Sequence, residues 1–277
     1  MNYRSFGATG LKVSEIGFGA WGIGGNLNNS KAYGPTSDIN SKKALETAFN
    51  LGVNFFDTSP LYGDGHSENL IGETFKKVRN KVIFVTKVGY KDFTGLQDFS
   101  PSYIKSSLNK SLKRLKTDYV DIYQLHDIPI DLLNNSEEIS DTLQDLKKEG
   151  KIRFLGISTK SQEDSIKILD KNHFDCMQIN FNLIDQRAIK NGLFAKCIEN
   201  NVAIIGRTPL CFGFLTGKYN NTIFHEDDHR SRWSKSQIDL WSSAYKFFLD
   251  KIKNSEIQSN AQLALRFCLS FSEISTT

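Results

Sequence analysis

Lys87 lies inside an apolar stretch, IFVTKVG, where an unpaired ammonium is costly to bury. A lysine there calls for a carboxylate. Asp57 ends another apolar stretch, NFFDTS, and Tyr62 follows five residues later; His126 ends a third, VDIYQLH. A Lys–Asp pair beside a phenol and an imidazole is a set for delivering a proton. A free phenol, with a pKa of about 10, is too weak an acid for neutral pH. An adjacent ammonium favours phenolate, so Lys87 is expected to lower the Tyr62 pKa. Asp57 would keep Lys87 charged and in place, and His126 would orient a carbonyl or help deliver the proton. The chemistry is protonation of a carbonyl oxygen as hydride arrives at carbon. Singly, each residue has a plainer role. Asp57 could serve only the turn of Asp-Thr-Ser-Pro, Lys87 could be only its ion-pair partner, and His126 a satisfied rim histidine. These plainer roles weaken when the residues are taken together.

The elements that must position them alternate along the chain. Strand-like runs are expected at 15–20, 53–58, 82–88, 120–125, 153–157, 176–181 and 202–206, with the start of an eighth at 273–277. Several are almost continuously apolar, as strands covered on both faces should be. Helical patterns fall between them, at 39–51, from a Ser67 cap to 75, from Ser100-Pro101 onward, and at 139–149, 162–170, 190–200, 241–253 and 259–269. Repeated strand and helix without a linker predicts a parallel sheet. An open dinucleotide-binding sheet should carry G-x-G-x-x-G between its first strand and helix. GFGAWGIGG, at 17–25, contains G-x-G but leads into polar and small residues before the helix, so it reads as a loop. The strand count favours an α/β fold of the closed (β/α)8 (TIM) barrel type, one domain over 1–277, with the eighth strand truncated. An N-terminal hairpin turning at 8–10 is placed to plug the barrel floor. In such barrels the C-terminal strand ends build the site. Those ends hold Asp57-Thr58-Ser59, Lys87, His126-Asp127, Ser158-Thr159, Gln178, Asn180 and Arg207-Thr208. The irregular stretch 211–236 reads as a solvated loop, with a ligand cover as the second reading.

At these residues the sequence resembles the aldo-keto reductase family, in its bacterial-type branch, from Tyr3 to the last residue. NFFDTSPLYGDGHSENLIGE is similar to the family's Asp-Thr-(Ala/Ser)-x-x-Tyr-Gly block, VTKVG to its lysine segment and DIYQLHD to its histidine segment. The resemblance implies a catalytic tetrad. Tyr62 would be the general acid, Lys87 its pKa-lowering neighbour, Asp57 their support and His126 the substrate orienter. It implies a nicotinamide cofactor, NADPH with NADH as the alternative, bound across the barrel mouth without a Rossmann fold. GIST, MQINFN and RTPLCFGFLTGKY are similar to the family's cofactor segments. With Trp21 and Asp57 they supply the implied cofactor set: Ser158, Gln178, Arg207, Pro209, Leu210, Leu215, Gly217 and Lys218. Thr159 stands where the family often has Asn, and Arg207 where many members stack a Tyr on the nicotinamide. A guanidinium plane can also stack. The chain stops at EISTT, where the family continues into cofactor-binding elements. The expectation is therefore a C-terminally incomplete barrel with an open edge, weak in cofactor binding.

Composition narrows the classes. Thirty-five Lys and Arg against 31 Asp and Glu leave +4, and the charges are interleaved, which argues against a nucleic-acid partner. No apolar run approaches the ~18 residues of a membrane helix, and no signal pattern opens the chain. The four cysteines make no C-x-x-C pair and the five histidines no H-E-x-x-H, so no metal site is read, and buried thiols in a cytoplasmic protein are expected. The expected function is reduction of an aldehyde or ketone, with a small-molecule carbonyl partner and no stated oligomeric state. The alternative is a catalytically idle, cofactor-binding regulatory protein on the same barrel.

Overall fold

The computed structural model describes residues 1–27, 31–171, 173–249 and 257–277. An antiparallel hairpin, β1 (Tyr3–Ser5) and β2 (Lys12–Ser14), opens the chain. Eight parallel strands follow, hydrogen-bonded in sequence order: β3 (Phe18–Gly19), β4 (Phe55–Asp57), β5 (Ile83–Val88), β6 (Val120–His126), β7 (Ile152–Ser158), β8 (Cys176–Asn180), β9 (Ala203–Arg207) and β10 (Ile274–Thr276). Strands β4, β5 and β6 are buried along their whole length, which is why they read as unbroken apolar runs.

β10 and β3, at the two ends of the sheet, form no ladder with each other, but two hydrogen bonds bridge the expected open edge. Thr277 N–H donates to the Glu15 carbonyl (3.1 Å), and Gly17 N–H donates to the Thr277 carbonyl (2.9 Å). The last strand is thereby joined to the segment entering β3. The hairpin fastens this seam, because Arg4 Nη1 donates to the carbonyls of Phe271 and Ile274, both at 2.8 Å.

The hairpin also plugs the floor. Phe6 and Val13 are fully buried and pack with Phe55, Val85, Ile122, Cys176 and Ile205 inside the barrel. A larger apolar layer, including Leu45, Phe56, Leu70, Phe84, Leu108 and Ile157, lies between strands and helices. The helix Pro101–Leu115 starts as expected, with Ser100 accepting from Tyr103 N–H and proline in the first turn. Ser67 does not cap. The helix His66–Phe75 begins after Gly65, and the Ser67 hydroxyl is buried, donating to the Ala20 carbonyl and pairing with Thr58 Oγ1. The pattern at 190–200 divides at Gly192 (φ 80) into Arg187–Lys190 and Leu193–Glu199. That at 241–253 falls in Lys235–Ala244 and Lys246–Leu249, and its last residues, 250–253, lie outside the described residues.

The stretch 211–236 is not a solvated loop. Phe214, Leu215, Asp228, His229 and Arg230 are buried in it. Its far end is tied to the loop after β3, with His229 N–H donating to the Ala32 carbonyl (2.8 Å) and Asn26 Nδ2 to the Asp227 carbonyl (2.6 Å). Arg230 grips Asp228 through two N–H groups and lies over the Tyr219 and Phe224 rings.

Truncating the floor plug, Phe6→Ala, should cost about 3–5 kcal/mol of unfolding free energy. The check is a lower midpoint of denaturant unfolding at unchanged slope. An unchanged midpoint would mean that the plug carries no core energy.

Candidate active site

Strand alternation turns Asp57, Lys87, His126, Ser158, Gln178 and Arg207 toward the barrel interior. The ladder pairs Asp57 with Val85, Lys87 with Gln124, His126 with Ser158 and Ser158 with Gln178. Tyr62 comes from the loop after β4. Its N–H donates to the Ser59 carbonyl, and its own carbonyl accepts from Ser67 N–H. Gly63, at φ 61, lies so close to Gly24 that an added Cβ would stand 2.2 Å from the Gly24 carbonyl oxygen. Only glycine allows this approach. It brings Trp21 over Tyr62, with ring centroids 6.1 Å apart and planes 27° apart.

Lys87 is fully buried and spends all three ammonium hydrogens. It donates to Asp57 Oδ1 (2.5 Å), the Thr58 carbonyl (2.8 Å) and Tyr62 Oη (3.5 Å). Gln178 Nε2 holds the other carboxylate oxygen, Asp57 Oδ2, at 3.1 Å. Burial pulls the Lys87 pKa down, but Asp57 and Tyr62 together more than offset this, and the net direction is upward. The ammonium therefore stays charged. Tyr62 departs from expectation. Burial raises its phenol and outweighs the Lys87 charge that pulls it down, so the phenol lies above its ordinary value. It remains protonated at neutral pH. Burial, with the Lys87 charge, pushes His126 down to about 3, leaving a neutral imidazole.

A second cluster stands at the ends of β6, β7 and β9. Arg207 donates through Nε to Asn180 Oδ1 (2.9 Å), through Nη1 to Ser158 Oγ (2.9 Å) and through Nη2 to the Thr159 carbonyl (3.1 Å). The guanidinium is held as a fixed plane. Asp127 accepts from Ser158 Oγ (3.2 Å) and Tyr90 Oη (3.3 Å) and ion-pairs with Lys160 (3.3 Å). Its carboxyl lies below the ordinary value. Burial raises it, but Arg207, His126 and Lys160 pull it down further. The Thr159 hydroxyl turns away to pair with Ser165 Oγ (2.6 Å).

A cleft of about 1300 Å³ opens above these residues. Asp57, Tyr62, His126, Trp21, Gln178, Arg207, Pro209 and Leu210 line it. Four residues of the implied cofactor set do not. Ser158 is buried beneath Arg207, Leu215 packs with Phe214 and Leu263, Gly217 (φ 74) ends the turn Cys211–Thr216, and Lys218 is exposed outside the cleft. A nicotinamide cofactor fits what does line it: a flat cation, Arg207, and a roomy cleft whose glycine rim, Gly19, has open space where a side chain would stand. The sequence alone does not single out Lys160 or Arg230, which also line the cleft: Lys160 pairs with Asp127, 33 residues away, and Arg230 with its near neighbour Asp228 in a stretch that reads as a loop.

The sequence profile described as Aldo/keto reductase family matches residues 15–276. The chain belongs to the aldo/keto reductase family. It is similar to L-galactose dehydrogenase from Arabidopsis thaliana, 34% identical over 99% of this chain and 82% of that one. It is 30% identical to aldo-keto reductase yakc [NADP(+)] from Schizosaccharomyces pombe, over 93% of this chain and 76% of that one. Among solved structures, the holo form of aldo-keto reductase AKR11C1 from Bacillus halodurans superposes with a TM-score of 0.78, at 27% identity, covering all of this chain and 85% of the other. The fold is that of the family's (β/α)8 barrel, and the chain is an NAD(P)H-dependent oxidoreductase. Among the described residues, no helix is long and apolar enough to cross a membrane.

His126 and His229 predict the pH dependence of stability. Each is held below its ordinary value, by burial first, at about 3 and about 4 respectively. As pH falls below about 6.5 the unfolded chain takes up these protons and the fold does not, so stability falls on acidification. The denaturant midpoint should drop between pH 7.5 and 4.5, and less so in His229→Leu. Equal drops in both proteins would contradict the assignment for His229.

Proposed function

We propose that the protein reduces a small aldehyde or ketone to the alcohol with NADPH, and that Tyr62 is the general acid. The reading rests on the buried Lys87 ammonium, fixed between Asp57 and the Tyr62 oxygen. A nicotinamide cofactor, when bound, supplies the hydride, and the protein does the rest. Tyr62 Oη gives its proton to the carbonyl oxygen as charge develops there. The phenolate left behind is stabilised by Lys87, whose charge Asp57 maintains, and Gln178 keeps Asp57 from rotating away. Neutral His126 donates a hydrogen bond to the carbonyl oxygen and so fixes its approach. The raised Tyr62 pKa is no obstacle to this role, because a general acid must start protonated. It means that Lys87 acts mainly on the phenolate formed during transfer.

Arg207 offers its plane to the nicotinamide, with Trp21, Pro209 and Leu210 as further walls of the same cleft. The NADP(+) named for the yeast relative supports the phosphorylated cofactor, and we adopt NADPH over NADH. The proposed setting is a reducing cytoplasm, in keeping with four free, buried thiols at Cys176, Cys197, Cys211 and Cys268.

Tyr62→Phe should reduce carbonyl-dependent NADPH oxidation by at least about a hundredfold while leaving NADPH binding within about threefold. Turnover retained in Tyr62→Phe would remove Tyr62 from the role of acid. The wild-type rate should stay flat from pH 6 to 9, because neither the neutral His126 nor the raised Tyr62 titrates in that range. A rate falling with a midpoint near 7 would contradict both assignments.

A further inference from the structure

Asp127 is not part of the four-residue set, yet its carboxylate is more committed than that of any ordinary rim residue. The side chain is 6% exposed. Its backbone lies in the left-handed region, at φ 55, which aspartate enters more readily than most non-glycine residues. Asp127 N–H donates to the Ser158 carbonyl (2.9 Å), and Gln97 Nε2 donates to the carbonyls of both His126 and Asp127 (3.1 Å each).

The two carboxylate oxygens face opposite halves of the cleft. Oδ1 accepts from Ser158 Oγ and stands 3.6 Å from Arg207 Nη1, on the side of the proposed nicotinamide platform. Oδ2 accepts from Tyr90 Oη and pairs with Lys160, whose Nζ also donates to Tyr90 Oη at 2.6 Å. The Tyr90 ring stands edge-on to His126, with centroids 4.9 Å apart and planes at 89°. One carboxylate thus joins the residue that holds Arg207 flat to the residue that sets the face of His126. No other described side chain makes hydrogen bonds to both Ser158 and Tyr90.

We propose that Asp127 is a positioning residue that couples the cofactor half of the cleft to the substrate half, so that the placing of Tyr90 against His126 and the placing of Arg207 and Ser158 are set together. A change on either side of the carboxylate is passed to the other, because the side chain is buried and bonded through both oxygens while Gln97 holds its backbone. This inference rests on the reading of the cleft given under Proposed function.

The test is a double-mutant cycle read in cofactor binding without substrate. Tyr90 lies on the far side of Asp127 from Arg207, and Tyr90→Phe removes only a hydroxyl. NADPH dissociation constants would be measured by fluorescence for the wild type, Tyr90→Phe, Asp127→Asn and the double variant. Expected is a weakening of at least about threefold on Tyr90→Phe in the wild-type background and no further weakening in the Asp127→Asn background, the non-additivity that a shared carboxylate imposes. The same variants should lower kcat more than they raise KM, since the reacting geometry is what loosens. Additive effects, or NADPH affinity unmoved by Tyr90→Phe, would overturn the coupling, and a loss of thermal stability alone would assign Asp127 a merely structural role. Failure of the underlying reading would look different: no NADPH binding by the wild type, or turnover that survives Tyr62→Phe.

Discussion

A lysine ammonium with no access to water is the constraint around which the barrel mouth is arranged. Lys87 cannot sit in β5 without a counter-charge, and the counter-charge cannot come from its own strand, which contains no acidic residue. Asp57, one strand away, supplies it, and Gln178, three strands away on the other side, holds the remaining oxygen. The third hydrogen of the ammonium reaches Tyr62. The need to satisfy a buried cation and the need to place an acid beside a carbonyl are therefore met by one geometry. Replacing either partner alone leaves a bare charge in the interior, a much larger penalty than the net worth of the pair.

The rest of the fold keeps that geometry still. The seam between Thr277 and the Glu15–Gly17 segment bridges the two ends of the sheet, and the hairpin fills the floor with Phe6 and Val13. The buried Glu68 carboxylate, bonded to Thr86 and Arg114, pins the helix that follows Tyr62 to the strand that carries Lys87. At the rim, Gly24 against Gly63 allows Trp21 to lie on Tyr62, and the His229–Ala32 and Asn26–Asp227 hydrogen bonds hold the segment after β9 to the loop after β3. Rigid strands carry the charged residues, and the loops that complete the cleft are themselves bonded across the mouth.

Much of this was legible in the residues. Apolar runs with abrupt polar ends announce buried parallel strands, and Asp57, Lys87 and His126 stand at such ends, so their convergence on one rim follows from the barrel alone. What was not legible depends on distance in space. The bridging of β10 rests on Glu15 and Gly17, more than 250 residues away in the chain, and no local pattern in EISTT signals it. The direction of the Tyr62 pKa turns on the desolvation of its phenol at the barrel mouth, whereas the types of residue suggested only the effect of Lys87. Ser67 has the type of a helix cap, but tertiary partners at Ala20 and Thr58 outbid the local one. Arg207 reads as a stacking residue from its position, and only the structure brings out the three hydrogen bonds that fix its plane.

The Lys87–Asp57 pair is best examined by a stability and activity cycle on Lys87→Met, Asp57→Asn and the double variant. Each single change should cost about 3–5 kcal/mol of unfolding free energy, by stranding the other group in the interior. The double variant should recover most of that stability and none of the carbonyl-dependent turnover, because the packing cost is relieved while the cation beside Tyr62 is still missing. Additive losses of stability, or a Lys87→Met protein that turns over at close to the wild-type rate, would show that this buried pair is not what organises the site.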